Sequence, residues 1–365
     1  MEVKALDLNE TVEKFKRDLE NFNNAKVKCG IIGRSGTGKS SLINAIVGEE
    51  VSAVGEIETT TEIGKPIEHR GLLFFDLPGS STTNFPIDSY VEKMGIKNFD
   101  CVILVTADRF YEDDLTLIDE ITKIKVPLFA VRTKLDFSVD RALRRNISEE
   151  ETIKTIFDDL KKNLQGYRAN GIYLTSADFP AKYDLNKLID DISNSLDKLK
   201  RQRFIADVNI TSKTMLEEKR NLSEKLISKY SALSALNAVN PIPGLDVSVD
   251  ISLLYKMSLD IQSIYGLNKE QMDYQSHLLK EDNSKLLIAK AVHFASRYVG
   301  KEALLLLLKK AGISLASKEV SKWIPFVGTA IAALIGYKLT SSIGNDMLND
   351  AEEIATETFE ALKSL

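Results

Sequence analysis

Three observations predict an α/β domain with a mainly parallel sheet joined to an all-α part. Short apolar runs alternate with helical stretches through the first half, a glycine-rich turn links the first run to its helix, and the second half carries no strand pattern. The runs are Val27 to Ile32, Leu72 to Phe75, Cys101 to Thr106, Val126 to Val131 and Ile172 to Leu174. Ahead of them, Leu8, Val12, Phe15, Leu19 and Phe22 recur at alternating spacings of four and three, one face of an amphipathic helix that needs a partner. Ser148 followed by Glu151 has the capping-box spacing and predicts the start of the helix leading into the last strand. After about Asp197 the chain turns to helical runs rich in Leu, Lys, Glu, Ser and Ala. These are broken only at Pro241-Ile242-Pro243-Gly244 and around Pro325 and Gly328. The expected division is residues 1–24 as a helix packing with the helical part, 25–197 as the sheet domain and 198–365 as the helical domain.

Composition narrows the function classes. With 44% hydrophobic and 28% charged residues, the 365-residue chain has the balance of a folded protein of two or three domains, which excludes disorder as its main state. A net charge of -5 argues against nucleic acid as the main partner. Cys29 and Cys101 can form at most one bridge, so no disulfide framework is implied and a reducing, cytoplasmic setting is expected. No leader pattern opens the chain, and Glu2 excludes the glycine required for myristoylation. The stretch from Trp323 to Tyr337 is bounded by lysines and falls short of the roughly 20 residues a spanning helix requires. It reads as a buried hairpin, with membrane contact as the alternative.

Chemistry concentrates at the ends of the predicted strands. Gly33-Arg34-Ser35-Gly36-Thr37-Gly38-Lys39-Ser40 fits GxxxxGK[ST], follows the first strand and opens a helix from Ser41 to Val47. In this motif backbone amides curl round a polyphosphate and the helix N-terminus favours its charge. Lys39 reaches the β and γ phosphates, and Ser40 ligates Mg²⁺. Asp76-Leu77-Pro78-Gly79 follows the second strand, where Asp76 can hold Mg²⁺ and the Gly79 amide can meet the γ-phosphate. Thr59, Thr60 and Thr61 lie between the two motifs; any one of them completes the metal shell, or all three form an edge strand. Thr133-Lys134-Leu135-Asp136 supplies the base reader. The Asp136 carboxylate accepts from guanine N1–H and its 2-amino group, a donor pair adenine lacks, while the Lys134 stem lies along the purine. GTP and GDP are therefore preferred over adenine nucleotides. Ser176-Ala177 stands where a further backbone contact to guanine belongs, although Asp178 replaces the lysine often found next. Ser80 follows Gly79 where small Ras-like GTPases carry the glutamine that orients the attacking water, so slow turnover, or help in trans, is expected.

Other charged groups read blandly. His69, His277 and His293 show no metal-ligand spacing, and Arg141, Arg144 and Arg145 read as a solvated helix face.

Beyond the nucleotide motifs, the segment from Ser81 to Met94, Arg109-Phe110 with Asp113-Asp114, and the run from Phe129 to Asp136 resemble the immunity-related GTPases, the interferon-inducible p47 family. The likeness extends to Pro241-Ile242-Pro243-Gly244 with Asp250 to Lys256, to Ile324-Pro325-Phe326-Val327-Gly328 and to the N-terminal helix. The resemblance implies a Ras-like G domain and a helical domain built from both chain ends. It also implies GTP-dependent self-assembly into a homodimer or larger homo-oligomer, and peripheral association with intracellular membranes. Lys39 places the chain with the members carrying Gly-Lys-Ser, Thr60 matches the family's switch threonine, and Glu58 matches a glutamate that helps hydrolysis across a G-domain dimer. The expected activity is a GTP-hydrolysing switch completed by dimerisation. The rival is a nucleotide-regulated interaction module with negligible hydrolysis.

Overall fold

A computed structural model describes residues 2–52, 65–77, 87–239, 246–310 and 327–365. The chain opens with α1 (Glu2–Asn24), then β1 (Val27–Ile32), α2 (Lys39–Val47), β2 (Ile67–His69), β3 (Leu72–Leu77) and α3 (Ile87–Lys93). It continues through β4 (Cys101–Thr106), α4 (Glu112–Lys123), β5 (Leu128–Arg132), α5 (Leu135–Leu143), α6 (Glu149–Asn163) and β6 (Gly171–Leu174). Helices follow: α7 (Leu185–Ser195), α8 (Lys198–Asp207), α9 (Lys213–Val239), α10 (Asp246–Ile264), α11 (Lys269–Leu278), α12 (Glu281–Tyr298), α13 (Lys301–Lys310) and α14 (Val327–Lys363).

Two compact units result: residues 25–215, 273–280 and 359–365 gather round the sheet, and residues 1–24, 216–272 and 281–358 form a helical unit. The six strands run in the order β2-β3-β1-β4-β5-β6, all neighbours parallel except the β2–β3 pair. Both faces of the central strands are covered, so β4 is buried at every position. Cys29 and Cys101 face each other across β1 and β4 as free thiols with sulfurs 3.5 Å apart.

The chain moves from β1 to β3 on one side and to β4 on the other, so the direction of strand addition reverses at β1. Ligands of open α/β sheets bind beside the carboxyl ends of strands at such a reversal. Register brings those ends into line: Ile31 pairs with Asp76, Ile32 with both Leu77 and Leu104, and Thr106 with Arg132.

Local differences from the sequence reading have physical reasons. The strand expected to stop at Phe75 runs to Leu77, so Asp76 lies inside β3 instead of after it, held in register by Ile31. The strand expected from Val126 begins at Leu128, since Pro127 has no N–H to donate and enters only through its carbonyl, which accepts from Val102 at 2.8 Å. The three-residue β2 is too short for a period-two signal; it exists because β3 pairs with it and Lys26 holds Glu68 at 2.5 Å. The helix after the glycine-rich turn starts at Lys39, two residues earlier than read. Ser148 caps α6 as its spacing predicts, its hydroxyl accepting from the Glu151 amide at 3.2 Å.

In the helical unit, Leu19 and Phe22 of the N-terminal stripe are buried and Phe15 is half-buried, while the side chains of Leu8 and Val12 lie outside what is described. Buried Lys219 donates to the carbonyl of Ile264 at 2.6 Å, and Tyr230 donates to Asp260 at 2.7 Å. Gly344 lets α14 press against Ile227 and Met257; a methyl there would come within 2.8 Å of Ile227. Gly328, read as part of a break, lies in the first turn of α14, whereas Pro241 to Gly244 and Trp323 to Phe326 fall outside the described residues. Among the described residues no helix is long and apolar enough to cross a membrane.

Candidate nucleotide-binding site

The glycine-rich turn leaves β1 with no room at its first residue. A Cβ on Gly33 would sit 2.4 Å from the carbonyl oxygen of Val105 on β4 and 2.9 Å from the Thr37 hydroxyl. Gly36 is the opposite case: φ is +75°, a region costly for L side chains, and no atom of the described residues lies within 4 Å of a Cβ built there. The loop is thus pinned to the sheet at one end and exposed at its tip. Thr37 closes it, donating to the carbonyl of Arg34 through its hydroxyl at 2.8 Å and its amide at 3.3 Å.

Beyond the loop α2 begins, and its first-turn amides have no intrahelical partners, which makes this end attractive to anions. Ser40 and Ser41 stand here, both partly exposed. Lys39 folds back across the loop instead of pointing to solvent: its Nζ donates to Gly33 O at 2.9 Å, lies 3.5 Å from Arg34 O, and approaches the Asp76 carboxylate at 3.6 Å. The motif lysine and the β3 carboxylate therefore share one corner of the site.

The base-reading loop arrives from β5, and tertiary contacts clamp it to the phosphate loop. Thr133 is buried; its hydroxyl donates to Thr37 O and, at 3.2 Å, to Thr106 O, and its amide donates to Thr106 O at 2.9 Å. Lys134, at φ 58°, extends its ammonium to Gly36 O at 2.8 Å, so its stem crosses the mouth of the loop. Asp136 follows in the first turn of α5, and the Leu135 amide donates to Thr175 O at 3.1 Å, which draws in the β6 end. Ser176 is buried there, its hydroxyl oxygen without a hydrogen-bond partner among the described residues, and Ala177 is half-buried. The Asp178 carboxyl is pushed above its usual range, first by burial and then by the neighbouring charge of Asp136. Two carboxylates thus lie close together where the ends of β5 and β6 meet.

A second aromatic and cationic cluster flanks the loop, and sequence reasoning assigned it no role. The Arg34 guanidinium lies 3.8 Å from the centroid of the Tyr111 ring, and that of Arg109 lies 5.1 Å from the same ring. Tyr111 is fixed at the start of α4, where its amide donates to the Asp114 carboxylate at 2.9 Å. Burial raises the Asp114 carboxyl above its usual range, while the Tyr111 amide and the Arg34 charge pull it back. Arg34 and Tyr111 lie far apart in sequence, so only an arginine at a permissive position of the motif signalled the contact.

The matching of residues 1–305 by the interferon-inducible GTPase (IIGP) family model decides what this geometry belongs to. The chain belongs to the interferon-inducible GTPase family. It is 28% identical over 269 residues to mouse interferon-inducible GTPase 1, a match covering 70% of this chain and 64% of that one. It is 29% identical over 276 residues to mouse T-cell-specific guanine nucleotide triphosphate-binding protein 2, covering 72% and 65%. The match to bovine interferon-inducible GTPase 5 is longer, 24% identical over 373 residues, covering 97% and 80%. The chain thus spans just under two thirds of the length of the two mouse relatives.

In this family member the described residues bring together Gly33, Ser35, Gly36, Thr37, Gly38, Lys39, Ser40 and Ser41 with Asp76, and Thr133, Lys134 and Asp136 with Ser176 and Ala177. Glu58, Thr59, Thr60, Thr61, Gly79 and Ser80 fall outside them. The chain leading toward the threonines is held to α2: Asn44 Oδ1 accepts from the amides of Val51 and Ser52 at 3.1 and 3.0 Å. Tyr90, one of the residues that carry the family resemblance, is fully buried, its phenol pushed well up by burial and by the Asp76 charge.

The donor set suits Mg²⁺, a hard cation that takes oxygen ligands and keeps several waters. The Ser40 hydroxyl and the Asp76 carboxylate are oxygen donors of the kind that ion takes, and Asp76 lies 3.6 Å from the motif lysine.

Proposed function

We propose that this chain binds GTP and hydrolyses it to GDP and phosphate, acting as a switch whose GTP state self-assembles through the sheet domain of residues 25–197. The observation that carries the reading is the clasp of Thr133 and Lys134 on the carbonyls of Thr37 and Gly36. It fixes Asp136 relative to the phosphate loop, so base and phosphates are gripped by one rigid frame. In this reading Gly33 and Ser35 to Ser41 cradle the phosphates, Lys39 contacts the β and γ groups, and the Gly79 amide meets the γ-phosphate. Asp136 reads guanine, and the backbone of Ser176 and Ala177 supports the base.

Ser40, Asp76 and Thr60 would hold Mg²⁺, which neutralises phosphate charge when bound. Ser80 in place of a glutamine supports slow turnover by the isolated molecule and completion of the site by a second copy, with Glu58 acting across the G-domain dimer. Nucleotide shifts the population toward the assembled state only by as much as it binds that state better. The helical domain of residues 198–365, together with helix 1–24, would carry the change to the surface of an intracellular membrane, which family membership supports.

Light scattering and phosphate release recorded together with GTP, GDP or neither test the switch. Turnover per molecule that rises with protein concentration supports assembly-linked hydrolysis. Retained guanine nucleotide affinity with flat, negligible turnover supports the interaction-module reading, which the missing glutamine favours. Sedimentation with liposomes in each nucleotide state tests the membrane step.

A further inference from the structure

The phosphate loop carries a guanidinium that the binding of phosphates and base does not use. Arg34 is anchored through its carbonyl, which accepts from Thr37 twice and lies 3.5 Å from Lys39 Nζ, the ammonium that would grip the β and γ phosphates. Its side chain is exposed and rests on the Tyr111 ring, 3.8 Å from the centroid. A flexible tether starting beside the phosphate ammonium has the reach to place its guanidinium at the terminal phosphate.

The resting place is a weak one. A cation–π contact at an exposed position is a weak hold; the Asp114 charge adds to it, while the like-charged Arg109 guanidinium approaches the same ring at 5.1 Å. Arginine–phosphate contacts are charge-assisted, often bidentate and roughly twice as strong as neutral hydrogen bonds. Arrival of a triphosphate therefore favours transfer of Arg34 from ring to phosphate, leaving Arg109 alone on Tyr111. The need is also visible, because Ser80 stands where a water-orienting glutamine would be.

Resting on the GTP-hydrolysis reading above, we infer that Arg34 is a catalytic residue acting in cis, leaving Tyr111 to neutralise charge on the γ-phosphoryl group held by its own loop. In the step it assists, the oxygen of water bonds to the γ-phosphorus while the bond from that phosphorus to the β–γ bridging oxygen breaks. The electron pair leaves with GDP, and the water protons pass to the phosphate product and solvent.

The test compares full-length wild type, Arg34→Ala and Arg34→Lys for phosphate release across a range of protein concentrations, with GDP affinity measured by calorimetry. Binding of GDP with aluminium fluoride, which mimics the transferring phosphoryl group, is measured in parallel. Arginines that stabilise this charge contribute about 10³–10⁵ in rate. Arg34→Ala is expected to lose at least ~100-fold of the turnover at every concentration and to lose aluminium fluoride binding, with GDP affinity within about threefold of wild type. Arg34→Lys, a point charge without the planar fork, is expected to recover only part. Turnover of Arg34→Ala within about threefold of wild type would overturn the proposal, as would a rate loss matched by an equal loss of GDP affinity. A loss confined to the concentration-dependent part of the rate would place Arg34 on the neighbouring molecule and overturn the cis assignment. Tight GDP binding with no phosphate release by wild type would instead defeat the hydrolysis reading itself.

Discussion

Replacing Thr133 by valine tests the clasp that joins the base and phosphate loops. The hydroxyl is buried and donates to Thr37 O and Thr106 O. Thr106 O keeps the Thr133 amide at 2.9 Å, so the substitution leaves Thr37 O as the acceptor deprived of this donor. A buried acceptor left without its donor costs about 1–3 kcal/mol, which puts the expected loss near ~2 kcal/mol. That cost is divided between folding and binding. If the loops keep their places without nucleotide, it appears as stability, at about 2–4 °C of melting temperature per kcal/mol for a unit of this size. If the base loop drifts until nucleotide restores it, the cost appears in affinity, about 30-fold for GDP. Calorimetric titration with GDP and scanning calorimetry on the same samples measure both parts. Losses summing to less than about 0.5 kcal/mol would show that the two loops are not held by this contact.

Other expectations follow from the same geometry. Asp136→Asn should weaken GDP binding by at least ~100-fold, since losing a charged acceptor of two hydrogen bonds forfeits several kcal/mol. It should also gain xanthosine diphosphate, whose 2-oxo group accepts from the new amide; unchanged guanine preference in competition binding would refute the base-reader assignment. Asp178 has a folded pKa raised above its unfolded value by burial and by Asp136, so its charged form opposes folding. Asp178→Asn should therefore be more stable than wild type above the folded pKa, with the difference vanishing as pH falls through that pKa toward the unfolded value; urea titrations at pH 7 and pH 4 check the sign. Gly33→Ala drives a methyl onto the Val105 carbonyl, whereas Gly36→Ala meets no atom of the described residues and strains φ. The first should destabilise by about 3 kcal/mol or more and the second by about 1–2 kcal/mol, an order that denaturant midpoints would reveal.

Much of the site was legible in order along the chain because each phosphate and base motif follows a strand of strongly apolar residues. Gly33 to Ser40, Asp76 and Thr133 to Asp136 could be read that way, since the chemistry of phosphate and guanine dictates residue types at short spacings. Less was legible where a role depends on a distant partner. Nothing near Ile67 marks β2, whose three residues are a strand only because β3 pairs with them. Asp76 was expected beyond its strand because the run of large apolar residues ends at Phe75, yet pairing with β1 carries the extended backbone two residues further. Tyr111 belongs to no motif the sequence analysis used, and only the fold brings Arg34 onto its ring.

The sequence by itself determined most element types and the phosphate-binding and base-reading motifs, because periodicity and motif spacing are properties of neighbours in the chain. The tertiary structure decided the strand order that places the reversal at β1, the hydroxyl and ammonium that staple the base loop to the phosphate loop, and the two guanidiniums sharing one ring. Apart from Arg109, two residues from Tyr111, those contacts join residues tens of positions apart, and their geometry exists only once packing of the sheet has closed the intervening chain.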